Sequence, residues 1–544
     1  MDSIGLLILV LISFAIAFRF YGGYLEKLWD VRSEEKTPAH TKYDGIDYIP
    51  AKHWIILFGH HFSSIAGAGP ILGPVIAGVL WGWGPALLWI VLGSIFLGGV
   101  HDFSSLVLSL KHKGETVGQI TKNILGEKSK IVFSFFLWLS LVLVIAVFAA
   151  VTAKTFIEEP RIVIPSFSFI FIAILFGFLV YRKNANFILV TIVSILLIVY
   201  FLYIGKNIPV RIPVENSIRI WIAILLLYAF VASVMPVNIL LQPRDYLSSF
   251  ILFFGLFFGV LGIFVSHPST NTPFFVSFNS SKGPLVPMMF VMIACGAISG
   301  FHSLVSSGTT SKQIPDARYA RHIAYGSMLT EGILASVALL CVVAGLYWDS
   351  PFQDLNYPFL MQKGNWIGTF ATGYGRIVSG IFSSDTGKLI AIIMVNSFVL
   401  TTLDTATRIT RYITTEIFGQ SFRIGIFNNR FFATLVIVFF AAYLAFGAWE
   451  KIWPVFGASN QLTAGLVLFV CGCFLMIKKK NSLSCILPAL IMLVITIVAL
   501  IYQAIGFYKN RSILLGNISI ILIILSFFII IEGVTRIKAL QRKS

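Results

Sequence analysis

Three histidines and a serine stand out as candidate ligand-binding side chains in an otherwise apolar chain: His60, His61, Ser64 and His302. A neutral imidazole can hydrogen-bond a substrate carboxylate, and it can also carry a proton near neutral pH. A metal site is the weaker alternative, because neighbouring helical residues point about 100° apart, so that only one of His60 and His61 can readily share a ligand with His302. These four residues are therefore predicted to bind substrate.

Three carboxylates lie within apolar segments: Asp102, Glu331 and Asp404. A charged side chain at the centre of a membrane span costs roughly 2.5–3.5 kcal/mol even on a lenient scale, which makes each of them a functional candidate. Asp404 lies one turn before Arg408, so an internal ion pair is an alternative explanation for both. Asp102 and Glu331 have no oppositely charged residue within one turn. All three are predicted to serve the coupling ion, and Asp102 and Glu331 are the preferred proton carriers.

Ser303, Ser306 and Ser307 stand at positions i, i+3 and i+4, which places three hydroxyl groups on one helix face. This face could complete a Na⁺ site together with backbone carbonyl groups freed near Ala66. Close packing of small residues between helices explains the same pattern equally well. The predicted coupling ion is therefore H⁺ or Na⁺, and no cofactor is predicted.

The residues Gly67 to Pro70 interrupt an apolar run, from Trp54 to Trp81, that is long enough to cross a bilayer. Two glycines and a proline within four residues oppose helix formation, and proline has no backbone N–H. The run therefore predicts a discontinuous helix, with one half ending near Ala66 and the other starting near Ile71. Secondary transporters place substrate and ions at such breaks. A kinked helix that packs through its glycines is the alternative.

The backbone at this break is predicted to bind substrate through Gly67, Ala68 and Gly69. A half-helix that begins at Ile71 would turn its free N–H groups and the positive end of its dipole toward the break. An anionic group is favoured there. This preference suits the carboxylate of a peptide or of a small carboxylic acid.

A second break is predicted in the seventh span, residues 217–241, because Pro236 stands in mid-span beside Met235 and Asn238. Met235 and Asn238 are accordingly predicted to bind substrate. The second and seventh spans have opposite orientations and start five spans apart, as an inverted repeat requires. Small and hydroxyl residues at 296–310 leave open a register that pairs the second span with the ninth.

The composition indicates a polytopic membrane protein, since 57 % of the residues are hydrophobic, 12 % are charged and the mean hydropathy is +0.89. All five cysteines lie in apolar runs, which is typical of small buried side chains and not of a disulfide framework or a zinc site. The net charge of +17 is explained by basic cytoplasmic loops. The lipid bilayer is therefore the predicted partner, and nucleic acid is not.

Apolar runs of sufficient length predict an all-α fold of about fifteen transmembrane helices. The predicted spans are residues 4–21, 53–80, 85–110, 130–155, 164–181, 186–204, 217–241, 247–266, 285–308, 323–347, 388–412, 430–447, 452–477, 482–503 and 514–534. With the N-terminus outside, 28 of the 40 lysines and arginines fall on the inward side, which places the C-terminus in the cytoplasm. Three regions follow, namely an N-terminal helix and inner loop (1–52), a transport core with the inverted repeat and broken helices (53–413) and extra C-terminal helices (414–544).

Four long motifs give the chain a family resemblance. They are Gly-His-His-Phe-x-x-Ile-Ala-Gly-Ala-Gly-Pro at 59–70, Pro-Arg-Asp-Tyr-Leu-Ser-x-Phe at 243–250, Gly-Ala-Ile-Ser-Gly-Phe-His-x-Leu-x-Ser-Ser-Gly-Thr-Thr at 296–310 and Leu-Thr-Thr-Leu-Asp-Thr-Ala-Thr-Arg at 400–408. In this order and at this length they resemble the carbon starvation protein A (CstA) family. The resemblance implies a multi-pass transporter of the plasma (inner) membrane, related to the LeuT-like superfamily, that takes up peptides and in some members pyruvate.

The predicted function is a cation-coupled secondary transporter that imports small carboxylate-bearing nutrients by alternating access, with peptides as the first substrate on resemblance alone. The alternatives are a pyruvate/proton symporter and a nutrient sensor that binds its ligand without moving it. A membrane enzyme is not predicted, because the sequence contains no nucleotide-binding loop, zinc-binding helix motif or nucleophile elbow.

Overall fold

The computed structural model describes residues 2–31, 36–362 and 366–541, and of residues 448–454, 540 and 541 it describes the backbone only. Fourteen helices in this part of the chain are long and apolar enough to cross a membrane, and one bent pair of shorter helices forms a fifteenth span. The number agrees with the sequence prediction. The fold is therefore that of an all-α, multi-pass membrane protein.

The spans are numbered α1 to α15 in chain order, and the two halves of α2 are called α2a and α2b. They are α1 (Ser3–Leu28), α2a (Trp54–Ile65) with α2b (Gly69–Leu80), α3 (Trp83–Lys111), α4 (Glu127–Glu158), α5 (Pro160–Arg182), α6 (Phe187–Asn207), α7 (Ser217–Val234), α8 (Leu241–Ser266), α9 (Leu285–Lys312), α10 (Ala317–Gly345), α11 (Ser384–Ser421), α12 (Arg430–Gly447), α13 (Val455–Ile477), α14 (Leu483–Lys509) and α15 (Ile513–Ala539).

Shorter elements lie between the spans. The helices are Pro38–Thr41, Val117–Leu125, Tyr357–Gln362 and Trp366–Ile377, and the two strands β1 (Asn279–Ser280) and β2 (Gly283–Pro284) form a small antiparallel hairpin before α9. The helix Trp366–Ile377 buries one face against α10, where Gly373 packs on the Cys341 backbone. The glycine-rich segment before α11 is thus part of the packed bundle.

The core of the bundle is formed by α9, α10 and α11. In the most apolar stretch of each of these helices 89 % of the residues are buried, whereas the corresponding value is 22 % for α6 and 28 % for α12. A helix that turns apolar side chains to lipid needs no protein cover on that side, so α6 and α12 belong at the periphery. The polar residue types of the candidate site lie on the covered helices.

The connections between spans fall into two groups, one at each end of the bundle. At the first end, called the basic end, Lys480 bonds Asp30, Thr116 donates to Glu416 at 2.8 Å and Lys52 donates to Asn184 at 2.9 Å. At the other end, called the hairpin end because it carries β1 and β2, the Gly84 amide donates to Phe274 at 3.0 Å and Arg161 pairs with Asp385 at 3.0 Å. Successive spans that cross the bundle in opposite directions place every second connection at the same end, and the two groups follow this pattern.

One predicted break is wrong in its position. Pro236 does not interrupt a span: α7 ends at Val234, α8 begins at Leu241, and Pro236 lies in the connection between them. Met235 is extended (φ −73°, ψ 152°), the conformation that a following proline favours. The second interrupted span is α9, so the interrupted pair is α2 and α9 and not α2 and the seventh span.

Candidate functional site

The break in α2 falls where the sequence predicts it. The first half, α2a, ends at Ile65 and the second half, α2b, begins at Gly69. The two halves are bent by 42° relative to each other. Ala66 leaves the helical region (φ −76°, ψ 65°), and the Gly67 amide donates to the Ile65 carbonyl at 2.8 Å. Pro70 occupies the first turn of α2b, where its missing N–H costs no hydrogen bond. The second half therefore starts two residues earlier than predicted.

The break in α9 separates Phe290–Ile293 from Gly300–Gly308. Ala294 takes φ 0° and ψ −82°, and Ser299 is extended at φ −139° and ψ 129°, so neither continues the helix. The Asn460 side chain of α13 donates to Ser299 Oγ at 2.8 Å and accepts the Phe301 amide at 2.8 Å. A neighbouring helix thus satisfies part of the backbone that the break exposes.

The two breaks cross each other in antiparallel fashion. A Cβ atom on Gly73 would lie 2.7 Å from the Ile293 Cα atom, and a Cβ atom on Gly296 would lie 3.5 Å from the Pro70 Cα atom. Distances of this kind show backbone against backbone, and glycine permits the approach because it has no side chain. Of the predicted ligand-binding backbone, Gly69 lies against Cys295 in the break of α9, whereas Gly67 lies against Phe148 of α4 and Thr402 of α11.

The two adjacent histidines of α2a reach different spans. His60 Nδ1 lies 2.5 Å from Asp245 Oδ2 on α8, and its Nε2 lies 3.3 Å from Thr309 Oγ1 on α9. His61 Nδ1 lies 2.8 Å from Thr310 Oγ1. Both imidazoles are fully buried, and among the described residues His61 Nε2 has no hydrogen-bond partner. Neither histidine is bonded to His302, so the three do not form one ligand set.

Ser64 joins the break of α2 to α8 and α11. Its hydroxyl lies 3.3 Å from Asp245 Oδ2 and 3.1 Å from Thr405 Oγ1. Thr402 Oγ1 donates to the Ser64 carbonyl at 3.1 Å, which satisfies one of the acceptors freed by the break. One turn of α11 therefore supports the backbone immediately before Ala66.

Asp102 lies at the centre of a fully buried cluster drawn from three spans. Its Oδ1 lies 2.8 Å from His101 Nδ1, and its Oδ2 lies 3.0 Å from His302 Nδ1. The other nitrogen of His302, Nε2, lies 3.4 Å from Glu331 Oε2 on α10. All four side chains are fully buried. Asp102 thus has one partner next to it on α3, His101, and shares a second partner, His302 of α9, with Glu331; local sequence does not reveal the contact with α9.

Asp404 forms a different kind of contact. It bonds Arg244 of α8, and the Tyr228 hydroxyl of α7 donates to its Oδ2 at 2.5 Å. The pairing of Asp404 with Arg408 that the sequence allows is wrong, because Arg408 instead bonds Asp47 at 2.7 Å. Asp404 and Arg408 lie one turn apart on α11 but have different partners. Asp404 contacts Arg244 of α8, and Arg408 contacts Asp47 at the basic end.

Asp47 closes the basic end of the site. It lies between α1 and α2, and it pairs with Arg408 at 2.7 Å and with Arg411 at 3.0 Å. Burial alone would raise the pKa of the Asp47 carboxyl, but the guanidinium groups of Arg411 and Arg408 outweigh burial and hold that pKa well below its ordinary value. Arg408 also donates to the carbonyl groups of Ala232 and Met235. Asp47 therefore links the segment before α2 to α7 and α11.

The predicted hydroxyl face does not converge on one point. Ser303 Oγ donates to the Gly300 carbonyl at 2.7 Å, and Ser307 Oγ donates to the Ser303 carbonyl at 2.8 Å. Ser306 Oγ reaches the Asp102 carbonyl at 3.4 Å. Only Ser306 thus faces the Asp102 cluster, while Ser303 and Ser307 bond the backbone of their own helix.

Met235 and Asn238 lie apart from the crossing, in the connection between α7 and α8 at the basic end. The carbonyl of Met235 accepts from Arg408, and the amide of Val237 donates to the Ile46 carbonyl at 2.9 Å. Met235 therefore belongs to the closure formed around Asp47, and the carbonyl of Asn238 lies against Gly177 of α5.

The sequence prediction missed Arg244, Asp245, Thr309 and Thr310 as members of the site. The predicted eighth span starts at residue 247, whereas α8 starts at Leu241, so Arg244 and Asp245 were assigned to a loop. The signal is present in the sequence, because the motif at 243–250 begins with Pro-Arg-Asp-Tyr, and a proline in the first turn is compatible with a helix start. A span that begins six residues earlier brings both charges into the bundle.

Two crossing interrupted helices with buried titratable groups beside them form the arrangement that is typical of secondary transporters built around discontinuous helices. The structure resembles the crystal structure of the Eremococcus coleocola manganese transporter, with a TM-score of 0.53, 13 % identity and coverage of 92 % of this chain and 99 % of that chain. At this identity the likeness shows the fold alone. The family model described as carbon starvation protein CstA matches residues 2–365 and 353–499. The chain belongs to this family.

Curated relatives agree with this assignment. The chain is 32 % identical to the peptide transporter CstA of Bacillus subtilis, over 98 % of this chain and 97 % of the relative. It is 29 % identical to the peptide transporter CstA of Escherichia coli, over 89 % of this chain and 79 % of the relative. It is 30 % identical to the pyruvate/proton symporter BtsT of Escherichia coli, over 86 % of this chain and 76 % of the relative. The protein is thus a member of a family of transporters and not of a family of enzymes.

Proposed function

We propose that this protein is a proton-coupled secondary transporter that imports small carboxylate-bearing nutrients, with short peptides as its first substrate. The observation that carries the proposal is the row of buried groups Asp102, His302 and Glu331 beside the crossing of the two breaks, in which Asp102 contacts His302 at 3.0 Å and His302 lies 3.4 Å from Glu331 without a hydrogen bond. Carboxylates and imidazoles in contact can pass a proton between them, whereas the hydroxyl groups on this face of α9 mostly bond backbone. This difference favours H⁺ over Na⁺.

Substrate binds at the crossing in this proposal. The positive end of the α2b dipole lies at the break and favours an anionic group there, although Pro70 has no N–H and the Ile71 N–H donates to the Ala68 carbonyl at 3.2 Å. His60 and His61 lie in the last two turns of α2a before the break and supply imidazole nitrogens. Movement of the α2 and α9 halves about their breaks then exposes the site to either side of the membrane in turn.

Two relatives suggest two substrate classes. The peptide transporters named CstA favour peptides, and the pyruvate/proton symporter BtsT favours a small keto acid. Both substrates offer one carboxylate to the start of α2b, so the crossing alone does not choose between them. Peptides remain the first proposal, and pyruvate is the second.

Uptake into proteoliposomes tests the function. We expect an inwardly directed proton gradient to drive accumulation of labelled dialanine, and a Na⁺ gradient of the same size to have no effect. Accumulation of pyruvate in place of dialanine would select the second candidate. Binding of either compound without gradient-driven accumulation would instead support a nutrient sensor.

The proposed orientation places the N-terminus outside and the C-terminus in the cytoplasm. The five native cysteines are buried, so an introduced cysteine is labelled with little background. We expect an impermeant maleimide to label Lys282→Cys at the hairpin end in intact cells, and to label Lys479→Cys at the basic end only after permeabilisation. Both side chains are exposed. The reverse pattern would invert the topology.

A further inference from the structure

A cavity of about 250 Å³ lies at the hairpin end of the molecule, apart from the predicted binding residues. It is enclosed by the first half of α9, by α13 and α14 and by the β1–β2 hairpin. Its lining includes Met288, Val291, Met292, Phe507, Gln503 and Lys282. The walls are therefore mainly apolar, with the ammonium group of Lys282 on the hairpin, the side chains of Ser281, Tyr502 and Asn510, and the buried amide of Gln503 in the wall.

Gln503 is the unusual member of this lining. Its side chain belongs to a residue that is only 7 % exposed, and among the described residues neither Nε2 nor Oε1 has a hydrogen-bond partner. A buried amide without partners is costly, and native proteins normally satisfy both of its ends. A ligand that offers one acceptor and one donor would satisfy them together.

The chemistry of the cavity matches a peptide backbone. A peptide group presents a carbonyl acceptor and an N–H donor, which are the complements of Gln503 Nε2 and Oε1, whereas a small keto acid presents acceptors only. The apolar walls suit uncharged side chains, and the exposed ammonium group of Lys282 suits a terminal carboxylate. We propose that this cavity binds short peptides through their backbone before they reach the crossing.

The cavity lies next to the break of α9. Met292 lines it, and the helical segment that contains Met292 ends at Ile293, immediately before the non-helical Ala294. The backbone of the same segment packs on Gly73 of α2b. A peptide in the cavity therefore contacts the half-helix that the transport cycle is proposed to move. This inference rests on the proposed function for its role, although binding can be measured without transport.

The test uses the full-length protein in lipid nanodiscs and labelled dialanine as the probe. Gln503→Met removes the amide at similar size, and Gly506→Leu fills the cavity from a lining position whose Cβ has no described heavy atom within 4 Å. The matched control is Gly447→Leu on α12, where the Cβ position is equally free. We expect both cavity variants to weaken dialanine binding about tenfold, the usual scale for a lost buried hydrogen-bonded group, and the control to leave it unchanged.

Pyruvate binding, measured on the same samples, should be unchanged by Gln503→Met. Dialanine binding that is equal in all variants, or absent from the wild type, would overturn the inference, as would a lipid that co-purifies with the wild type and is lost from Gly506→Leu while dialanine binding persists. Proteoliposome uptake separates this result from the function. Uptake of pyruvate without dialanine binding refutes the peptide cavity alone, and dialanine binding without gradient-driven uptake of any carboxylate refutes the transport proposal alone.

Discussion

Asp102 and Asp404 are both fully buried, yet they contact different kinds of cation. Asp404 faces the guanidinium of Arg244, which stays charged at every physiological pH. Asp102 faces two imidazoles, His101 and His302, and the imidazole is the side chain whose ordinary pKa lies nearest to neutral pH. Asp102 is therefore suited to proton exchange, and Asp404 is suited to a fixed structural role. The two predictions at this scale follow from that contrast.

Asp102→Asn should abolish proton-driven uptake while sparing exchange of substrate across the membrane. The amide keeps the shape of the side chain and one acceptor oxygen, but it cannot become a carboxylate. We expect uptake driven by a pH gradient to fall at least about 100-fold, the lower end of the effect of general acid–base groups. Counterflow, the exchange of labelled for unlabelled substrate, involves no net proton transfer. We therefore expect its rate to stay within about twofold of the wild type. Full gradient-driven uptake at every pH would remove Asp102 from the coupling role.

Asp404→Asn should destabilise the protein, because it leaves the Arg244 guanidinium buried without a counter-charge. Breaking a buried ion pair in this way costs about 3–5 kcal/mol. The double variant Asp404→Leu with Arg244→Met removes both charges and should recover most of that loss. Thermal unfolding in detergent, followed by size-exclusion chromatography, measures the difference. If the single variant were as stable as the double variant, the pair would have no structural role.

The elements of the site are held together by close approach of α2 and α9. Gly73 and Gly296 stand where a side chain would meet the backbone of the other broken helix. Such contacts fix the distance between the breaks and leave van der Waals packing as the main attraction, as is usual between membrane helices. The crossing is thus sensitive to the volume of single residues.

Gly73→Val should separate α2b from α9 and inactivate transport. Its Cβ would lie 2.7 Å from the Ile293 Cα atom, and backbone cannot give way as a flexible side chain can. We expect a loss of about 1–3 kcal/mol of stability, the usual cost of overpacking, together with loss of uptake. Gly425→Val, at a position with no described heavy atom within 4 Å of the added Cβ, is the control. Equal uptake by both variants would show that the crossing tolerates a wider spacing.

The sequence predicts the span count and the break at Gly67 to Pro70 because both depend on local composition. It misplaces the second break, because Pro236 marks the end of a helix as readily as a kink within one. The partners of His60, Asp102 and Asp404 come from other spans, and no local pattern fixes which spans pack together. The site was therefore predicted as a set of residues and not as a set of contacts.

At the scale of the whole molecule, the basic end is closed by the segment before α2. The Ile46 carbonyl accepts from Val237, the Ala51 amide donates to the Gln313 carbonyl at 2.9 Å, and Asp47 pairs with two arginines of α11. These contacts tie the segment just before α2a to α11 and to the connections that follow α7 and α9. Access to the crossing from this end requires that they separate.

Asp47→Asn should loosen this closure. Labelling of Asn238→Cys by an impermeant maleimide measures it, and we expect the rate to rise roughly tenfold when the two charged contacts are lost. In the folded protein the pKa of Asp47 lies below its ordinary value of 3.8. The two ion pairs are therefore complete above pH 3.8, and they are lost only as the pH falls through the lowered pKa of the folded state. The ratio of this labelling rate to that of the exposed control Lys479→Cys, which cancels the pH dependence of the thiolate fraction, should therefore be flat from about pH 5 to pH 8 with Asp47 intact. A steep rise within that window would contradict this closure.

The polar contacts of α2a also bear on biogenesis. His60, His61 and Ser64 leave the ribosome long before their partners, which follow at sequence separations of 185 residues for Asp245, 249 for Thr310 and 341 for Thr405. A nascent chain that stops after α7 exposes those imidazoles and hydroxyls to lipid or to the insertion machinery. The polar contacts of α2a are therefore complete only after α9 and α11 have been synthesised in the second half of translation. Until then the insertion machinery must hold a span whose polar side chains have no protein partners.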